Sequence, residues 1–307
     1  MNILVTGSTG LIGTALTDRL AAEGHTVTRL VRSATVTGTA SREVTWAPDR
    51  GQIDVAALER LGPFDGVVHL AGAGIGDRRW STARKRVILD SRTQSTRLLV
   101  DTLVRLSARP PVLVSASAVG YYGIRGDEVL TEESEAGSGF LAEVCQAWEA
   151  AARPAADAGI RTVLLRTGIV LSLHGGAWGK QLPLFRLGLG GRMGDGNQYR
   201  SWITLEDEIG VVLHGLVDDG LHGPVNATAP EPATDAELAH AVGAVLHRPT
   251  VMAVPATALR LALGSEMAGQ LVLGGQRVLP RALESRSFRF AHPALDEAVR
   301  SVLAPAG

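Results

Sequence analysis

Three glycines, Gly7, Gly10 and Gly13, stand three residues apart in the run Gly7-Ser8-Thr9-Gly10-Leu11-Ile12-Gly13. The run follows a short apolar stretch, Asn2–Thr6. It opens a segment in which Ile12, Leu16 and Leu20 recur at helical spacing. A strand, a glycine turn and an amphipathic helix in that order make a site for phosphates. One glycine allows the tight turn, one lets a pyrophosphate approach the backbone, and one lets helix and strand pack closely. The helix N-terminus adds free N–H groups and partial positive charge. An ordinary βα turn also uses glycine, but the context favours a dinucleotide. Gly7, Thr9, Gly10, Leu11, Ile12 and Gly13 are the expected contacts. A dinucleotide site that selects NAD places Asp or Glu ~20 residues after the turn, on the ribose 2′-hydroxyl. Here no acidic residue occurs between Glu23 and Glu43. The second strand ends in Arg32-Ser33, a guanidinium and a hydroxyl suited to a 2′-phosphate. A solvated surface arginine is the plainer alternative. NADP(H) is expected over NAD(H).

Other chemistries lack their residues. No Cys-x-x-Cys and no His-Glu-x-x-His occurs, so no metal is expected. Gly-x-Ser-x-Gly and the P-loop pattern are also absent. Cys145 is the single cysteine, so no intrachain disulfide forms and nothing points to an oxidising compartment. Thirty Lys+Arg against 31 Asp+Glu give a net charge of −1, with none of the positive excess of a nucleic-acid or anionic-membrane binder. Only Lys85 and Lys180 are lysines. No apolar stretch approaches the ~20 residues of a membrane span, and with no basic n-region before the first strand no signal peptide is expected. A cytoplasmic monomer or homodimer acting on an unidentified small molecule is expected, with no nucleic acid and no membrane.

The elements that must position these groups alternate. Strand patterns at Thr26–Val31, Asp65–Leu70, Val112–Ser115 and Arg161–Leu165 are separated by helical patterns at Ile88–Leu106 and Gly139–Ala158. That alternation predicts an α/β fold, a Rossmann-type doubly wound parallel sheet with helices on both faces. After Leu171 the texture changes. His174–Gly196 is glycine-rich, Ser201–Val217 returns to strand and helix, and helical patterns recur at Asp235–Leu246, Ala256–Leu263 and Pro293–Leu303. The expected division is a cofactor domain over 1–172, with 201–227 returning to it. A smaller, mainly helical lobe on the substrate side takes 173–200 and 228–307.

At this point the chain resembles the extended short-chain dehydrogenase/reductases. The resemblance rests on Thr6–Gly13, on His69-Leu70-Ala71-Gly72 and on Ser115-Ala116-Ser117 leading to Tyr121-Tyr122-Gly123. It also rests on Arg200-Ser201-Trp202-Ile203 with Asp207. It is closer to an atypical branch known only as epimerase-family proteins. That branch's marks stand here as Arg79-Trp80, Ser91-Arg92, Trp148-Glu149, Arg166-Thr167-Gly168, Gly188-Leu189-Gly190-Gly191 and Asn226-Ala227-Thr228. The segment from about Thr250 resembles a small domain of unknown function that accompanies the branch. The resemblance implies that Leu70, Ala71, Gly72, Ser115 and Thr167 line the cofactor. It also places Arg92 where the superfamily usually has Asn, to hold the cofactor's ribose or phosphate, with a helix-face salt bridge as the alternative.

The superfamily's proton chemistry uses a Tyr with a Lys four residues later, the lysine lowering the phenol's pKa. Tyr121, Tyr122 and Tyr199 are followed at that spacing by Arg125, Gly126 and Ile203. Aligning the helix through Glu149 puts Leu141 and Cys145 at the two positions. The pair is absent, while the serine of the usual triad survives as Ser117. The catalytic candidates are therefore Ser117, Tyr121 and Tyr122. Ser117 either faces the nicotinamide or bonds the local turn, and an aromatic pair in a turn also serves packing. Two functions fit: an NADP(H)-dependent oxidoreductase or epimerase, or a non-catalytic NADPH-sensing protein that engages a protein partner.

Overall fold

Asn2–Thr6 forms β1, whose last four residues are buried, as a central strand covered on both faces requires. The computed structural model describes residues 1–33, 42–179 and 181–303. After β1 come α1 (Leu11–Ala22), β2 (Thr26–Val31), β3 (Arg42–Ala47), β4 (Gln52–Ile53), α2 (Val55–Leu61), β5 (Gly66–His69) and α3 (Thr82–Arg105). Then follow β6 (Val112–Ala118), β7 (Val129–Leu130), α4 (Phe140–Asp157), β8 (Arg161–Thr167) and β9 (Ile169–Leu171). Two short helices, α5 (Gly176–Gly179) and α6 (Leu182–Arg186), precede β10 (Tyr199–Arg200), β11 (Trp202–Thr204), α7 (Leu205–Val217) and β12 (Gly223–Ala227). The C-terminal part holds β13 (Ala233–Thr234), α8 (Asp235–Leu246), α9 (Ala256–Leu263), α10 (Ser265–Ala268), β14 (Arg277–Val278), α11 (Arg281–Ser285) and α12 (Leu295–Leu303).

The main sheet has eight strands in the order β12-β8-β6-β5-β1-β2-β3-β4. All neighbours pair in parallel except β3 with β4. The order reverses at β1, so the carboxyl ends of β1 and β5 flank the switch point where such sheets hold ligands. One face packs α1 and α7 around Ile3, Val5, Leu16, Val114, Val163 and Val212. The other packs α2 and α3 around Leu4, Leu58, Val67, Leu99 and Leu113, with α4 lying over β6 and β8. This is the α/β, Rossmann-type sheet predicted from the alternation.

Local rules explain the boundaries. Helix α3 starts well before Ile88, because the Ser81 side chain accepts from Arg84 N–H and caps it. Gly24, at φ +77°, ends the turn after α1, as its position predicts. Strand β3 and helix α2 carry no clear periodic signal. Strand β3 is half-exposed beside the edge of the sheet, so its residues need not be uniformly apolar.

A separate cluster joins Leu171, Trp178, Leu182, Phe185 and Trp202 to α8 and α12. Buried polar contacts fasten this C-terminal part to the sheet. Arg200 pairs with Asp235, Nε to Oδ1 2.9 Å, and donates to the carbonyls of Val272 and Gly274. Asp207, in the first turn of α7, accepts from Ala291 N–H (2.6 Å) and His292 N–H (3.1 Å).

Candidate functional site

Gly7 takes φ +69°, and a Cβ there would lie 2.7 Å from the Leu70 carbonyl carbon. A Cβ on Gly13 would lie 2.1 Å from the Gly7 oxygen. Glycine at these two positions lets the turn close on α1 and on the loop after β5. Gly10 is different. It has φ −80°, and a Cβ there would approach only the Gly7 oxygen, at 3.4 Å. Its outer face is open. Gly10 is also the N-cap of α1, with no side-chain cap and no acidic residue in the first turn. Ser8 Oγ is buried without a hydrogen-bond partner. An uncapped helix N-terminus, an open glycine face and an orphaned hydroxyl fit a pyrophosphate bound here. Thr9 is exposed at the rim, and Leu11 and Ile12 are half-buried.

The β1–β2 register pairs Thr6 with Leu30, so Arg32 and Ser33 emerge beside the turn. Both are exposed, and neither side chain has a partner among the described residues. Lys180 lies outside the described residues.

A polar chain under the sheet surface fixes the loop Leu70-Ala71-Gly72. Thr6 Oγ1 accepts from the Leu70 and Ala71 N–H groups (3.2 and 3.3 Å) and lies 2.7 Å from His69 Nδ1. His69 Nε2 lies 2.9 Å from Thr96 Oγ1, which donates to the Arg92 carbonyl at 2.7 Å. With Thr96's proton committed to Arg92, His69 Nε2–H donates to Thr96, and Nδ1 accepts from Thr6. Burial pushes His69 down to about 3, so the ring is neutral. Ser115, beside His69 in the sheet, is fully buried with its Oγ unpartnered. It therefore offers a cofactor no exposed side chain.

The Arg92 guanidinium is largely used by the protein. Nη1 donates to the Ala73 and Ile88 carbonyls (2.9 and 3.1 Å), and the group lies 4.8 Å from the Trp148 ring centroid. Its plane stands behind Gly72, where a Cβ would be 3.2 Å from Cζ. Arg92 thus braces the cofactor loop against α3 rather than forming the surface salt bridge considered above. Thr167 Oγ1 donates to Glu208 Oε1 at 2.8 Å, a bond that no sequence pattern announces. Glu208 is fully buried, and burial pushes it up to about 7 against the lowering effect of Thr167.

The catalytic candidates converge on the Glu149 carboxylate, which the sequence offers only as part of the Trp148-Glu149 mark of the resemblance. Ser117 and Arg166 are register partners on β6 and β8, side by side facing α4. Ser117 Oγ donates to Glu149 Oε1 at 2.7 Å. Arg166 clasps the same carboxylate with two bonds, Nε to Oε1 at 2.8 Å and Nη2 to Oε2 at 2.9 Å. Arg166 Nη1 also donates to the Tyr122 hydroxyl at 2.9 Å, and Tyr122 donates to Asn226 Oδ1 at 2.6 Å. Burial works against the Arg166 charge, but Glu149 and Tyr122 hold the guanidinium above its ordinary range.

The structure separates the two tyrosines. Tyr122 is fully buried with its hydroxyl committed at both ends, and burial pushes the phenol up to about 12. It is a structural group, which removes it from the proton donors. Tyr121 is half-buried, and Arg166 Cζ lies 3.4 Å from its ring centroid. Its hydroxyl has no partner among the described residues. Cys145 stands beside Ser117 at the position of the missing lysine. Burial pushes its thiol up to about 12, so it is a packing residue without a thiolate.

The sheet order, glycine turn and loop after β5 define an NAD(P)-binding Rossmann fold of the short-chain dehydrogenase/reductase type. The model of the NAD dependent epimerase/dehydratase family matches residues 3–224, and a domain of unknown function, DUF1731, matches 254–302. The chain belongs to the NAD dependent epimerase/dehydratase family, as an epimerase family protein that carries the DUF1731 segment. An epimerase family protein of Mycobacterium bovis is 46% identical over 297 residues, covering 97% of this chain and 96% of that protein. The crystal structure of human epimerase family protein SDR39U1 with NADPH superposes with a TM-score of 0.88 at 35% identity, covering 98% of this chain and 99% of that one. A nucleoside-diphosphate sugar epimerase from Corynebacterium glutamicum gives 0.79 at 36% identity, over 99% of this chain and 58% of that one. Among the described residues no helix is long and apolar enough to cross a membrane, and no cluster has the makings of a metal site.

Proposed function

We propose that this protein is an NADP(H)-dependent oxidoreductase or epimerase acting on a small molecule, with Ser117 and Glu149 as its proton path. The observation that carries the reading is the 2.7 Å bond from Ser117 Oγ to a Glu149 carboxylate held by Arg166. When bound, the cofactor supplies hydride exchange, and return of hydride to the opposite face of the same carbon is epimerisation. Gly7, Gly10 and the first turn of α1 hold the pyrophosphate. Arg32, without a partner among the described residues, would meet a 2′-phosphate. The human relative was crystallised with NADPH, which supports that choice.

In the resting geometry the Ser117 proton points at Glu149, so the serine's lone pairs are its free function. Ser117 accepts a hydrogen bond from a substrate hydroxyl. As that hydroxyl loses its proton to Ser117, the serine passes its own to Glu149. Reduction runs the path backwards, from a protonated Glu149. Arg166 holds the carboxylate in place, and the dyad does the work of the absent Tyr/Lys pair.

The test is turnover of purified protein against a library of alcohols and carbonyls with NADP+ or NADPH. Ser117→Ala and Glu149→Gln should each lower the rate by about 10²–10⁴, the scale of a positioned proton-transfer group, with unchanged NADPH affinity. Wild-type rates in both variants would overturn the proton path. A second reading is favoured by the replacement of the usual pair with Leu141 and a buried, protonated Cys145. On that reading the protein binds NADPH without turnover and engages a protein partner. It requires tight NADPH binding with no reaction across the whole library.

A further inference from the structure

Strand β12 is the last strand of the sheet, and its two faces are treated differently. On the α1/α7 face α11 covers it, with Leu283 packed among Val225 and Ala227. On the other face α4 reaches only as far as β8. The uncovered strip is a groove of about 630 Å³, running from Tyr121 to the start of β8.

Its floor is apolar. Leu164 and Pro224 are register partners on β8 and β12, and both are half-buried there. One wall is a single face of α4, Glu149, Arg153 and Ala156, at the spacing that aligns residues on a helix. Glu149 is the only carboxylate in the lining and is consumed by Arg166 and Ser117. Arg161, at the far end, gives its N–H groups to the carbonyls of Gly215, Leu216 and Leu221. Three groups in the lining carry unused donors: the exposed Arg153, the exposed His222 and the Tyr121 hydroxyl. None of them has a protein partner among the described residues.

Besides those carbonyls Arg161 faces the exposed Asp219, Nη2 to Oδ1 3.8 Å. With Arg161 balanced by Asp219 and Arg166 by Glu149, the positive charge left over in the lining is that of Arg153. One free guanidinium fork matches one carboxylate, whereas a phosphate dianion would call for several converging donors. The apolar floor and the Tyr121 ring match a flat hydrophobic body.

We propose that this groove is a second ligand site, which takes a small organic carboxylate with a planar apolar body, its carboxylate on Arg153 and its ring on Leu164, Pro224 and Tyr121. The site is separate from the cofactor turn, and the Glu149–Arg166 pair is the wall it shares with Ser117.

Isothermal titration with 2-naphthoate, its neutral amide and inorganic phosphate tests this. Wild type should bind naphthoate saturably, and the amide and phosphate at least tenfold more weakly. Arg153→Gln, a change at an exposed helix position, should weaken naphthoate at least tenfold. Ala156→Phe, also exposed, should fill the groove and abolish binding. Both variants should bind NADPH as wild type does, and NADPH should not compete with naphthoate. Absence of saturable naphthoate binding, equal affinity for the amide or phosphate, indifference to both substitutions, or competition by NADPH would each overturn the proposal.

Discussion

Two residues show how environment, more than identity, decides what a charged side chain contributes. Arg32 is exposed and has no partner among the described residues, so its charge is available to a ligand. A charge-assisted contact with a 2′-phosphate is worth roughly 1–3 kcal/mol. NADPH should therefore bind about 5- to 150-fold more tightly than NADH, and Arg32→Asp should abolish or reverse that preference; equal wild-type affinities by titration would refute the assignment. Glu208 is the opposite case, fully buried with Oε2 unpartnered. Its carboxyl is pushed from 4.5 up to about 7, so the folded state holds this proton more tightly than the unfolded one. Below about pH 4.5 both states are protonated and burial carries no charge penalty. As pH rises to 7 the unfolded chain ionises first, and stability falls by up to about 3 kcal/mol. Glu208→Gln should thus stabilise the protein at pH 8, with the gain shrinking toward zero at pH 4.5. Denaturant melts at both pH values check this, and a gain independent of pH would show that ionisation is not the cause.

The phosphate turn depends on how β1, α1 and the loop after β5 approach one another. Gly7 and Gly13 lie where a Cβ would strike backbone, whereas Gly10 has ordinary backbone angles and faces open space. This distinction separates folding from binding within one motif. Gly10→Val should leave the thermal midpoint nearly unchanged and eliminate NADPH binding, because its side chain fills the space left for the pyrophosphate. Gly13→Ala should instead lower stability, since its Cβ meets the Gly7 oxygen. Saturable NADPH binding of wild-type affinity in Gly10→Val would move the site elsewhere. Helix α3 contributes to the same loop from the other side. Thr96 takes the His69 N–H, and Arg92 grips Ala73, so the loop is held by the helix that follows it.

Across the whole molecule, the sheet order brings the cofactor turn and the proton path to one edge. Leu70 follows the carboxyl end of β5, the neighbour of β1, and Ser117 lies near the carboxyl end of β6, the next strand out. The C-terminal part is bound to this frame by carboxylates that accept backbone N–H groups as well as by the apolar contacts of Leu283, Phe288 and Phe290. Asp207 accepts two backbone N–H groups from Ala291 and His292, and Glu132 accepts from Asn226 and Ala282. The Glu132 bonds hold α11 where it covers one face of β12 and leaves the α4 side open, while α12 packs on α8.

The sequence by itself determined what is encoded locally. A glycine turn between a strand and a helix is written in seven consecutive residues, because its physics acts over one βα unit. Alternating strand and helix periods likewise announce the parallel sheet, and the missing Tyr/Lys pair is visible from spacing alone. Strand β3 and helix α2 escaped notice because a half-exposed strand and a two-turn helix need little periodicity. Only the tertiary structure joined Ser117 to Glu149 and Arg166. Serine and arginine meet through the β6–β8 register, and the carboxylate arrives on α4, so no spacing along the chain encodes their contact. The same holds for Thr167 with Glu208, and for the fates of Tyr121 and Tyr122. Those two are neighbours in sequence, but packing buried one hydroxyl between Arg166 and Asn226 and left the other without a partner among the described residues.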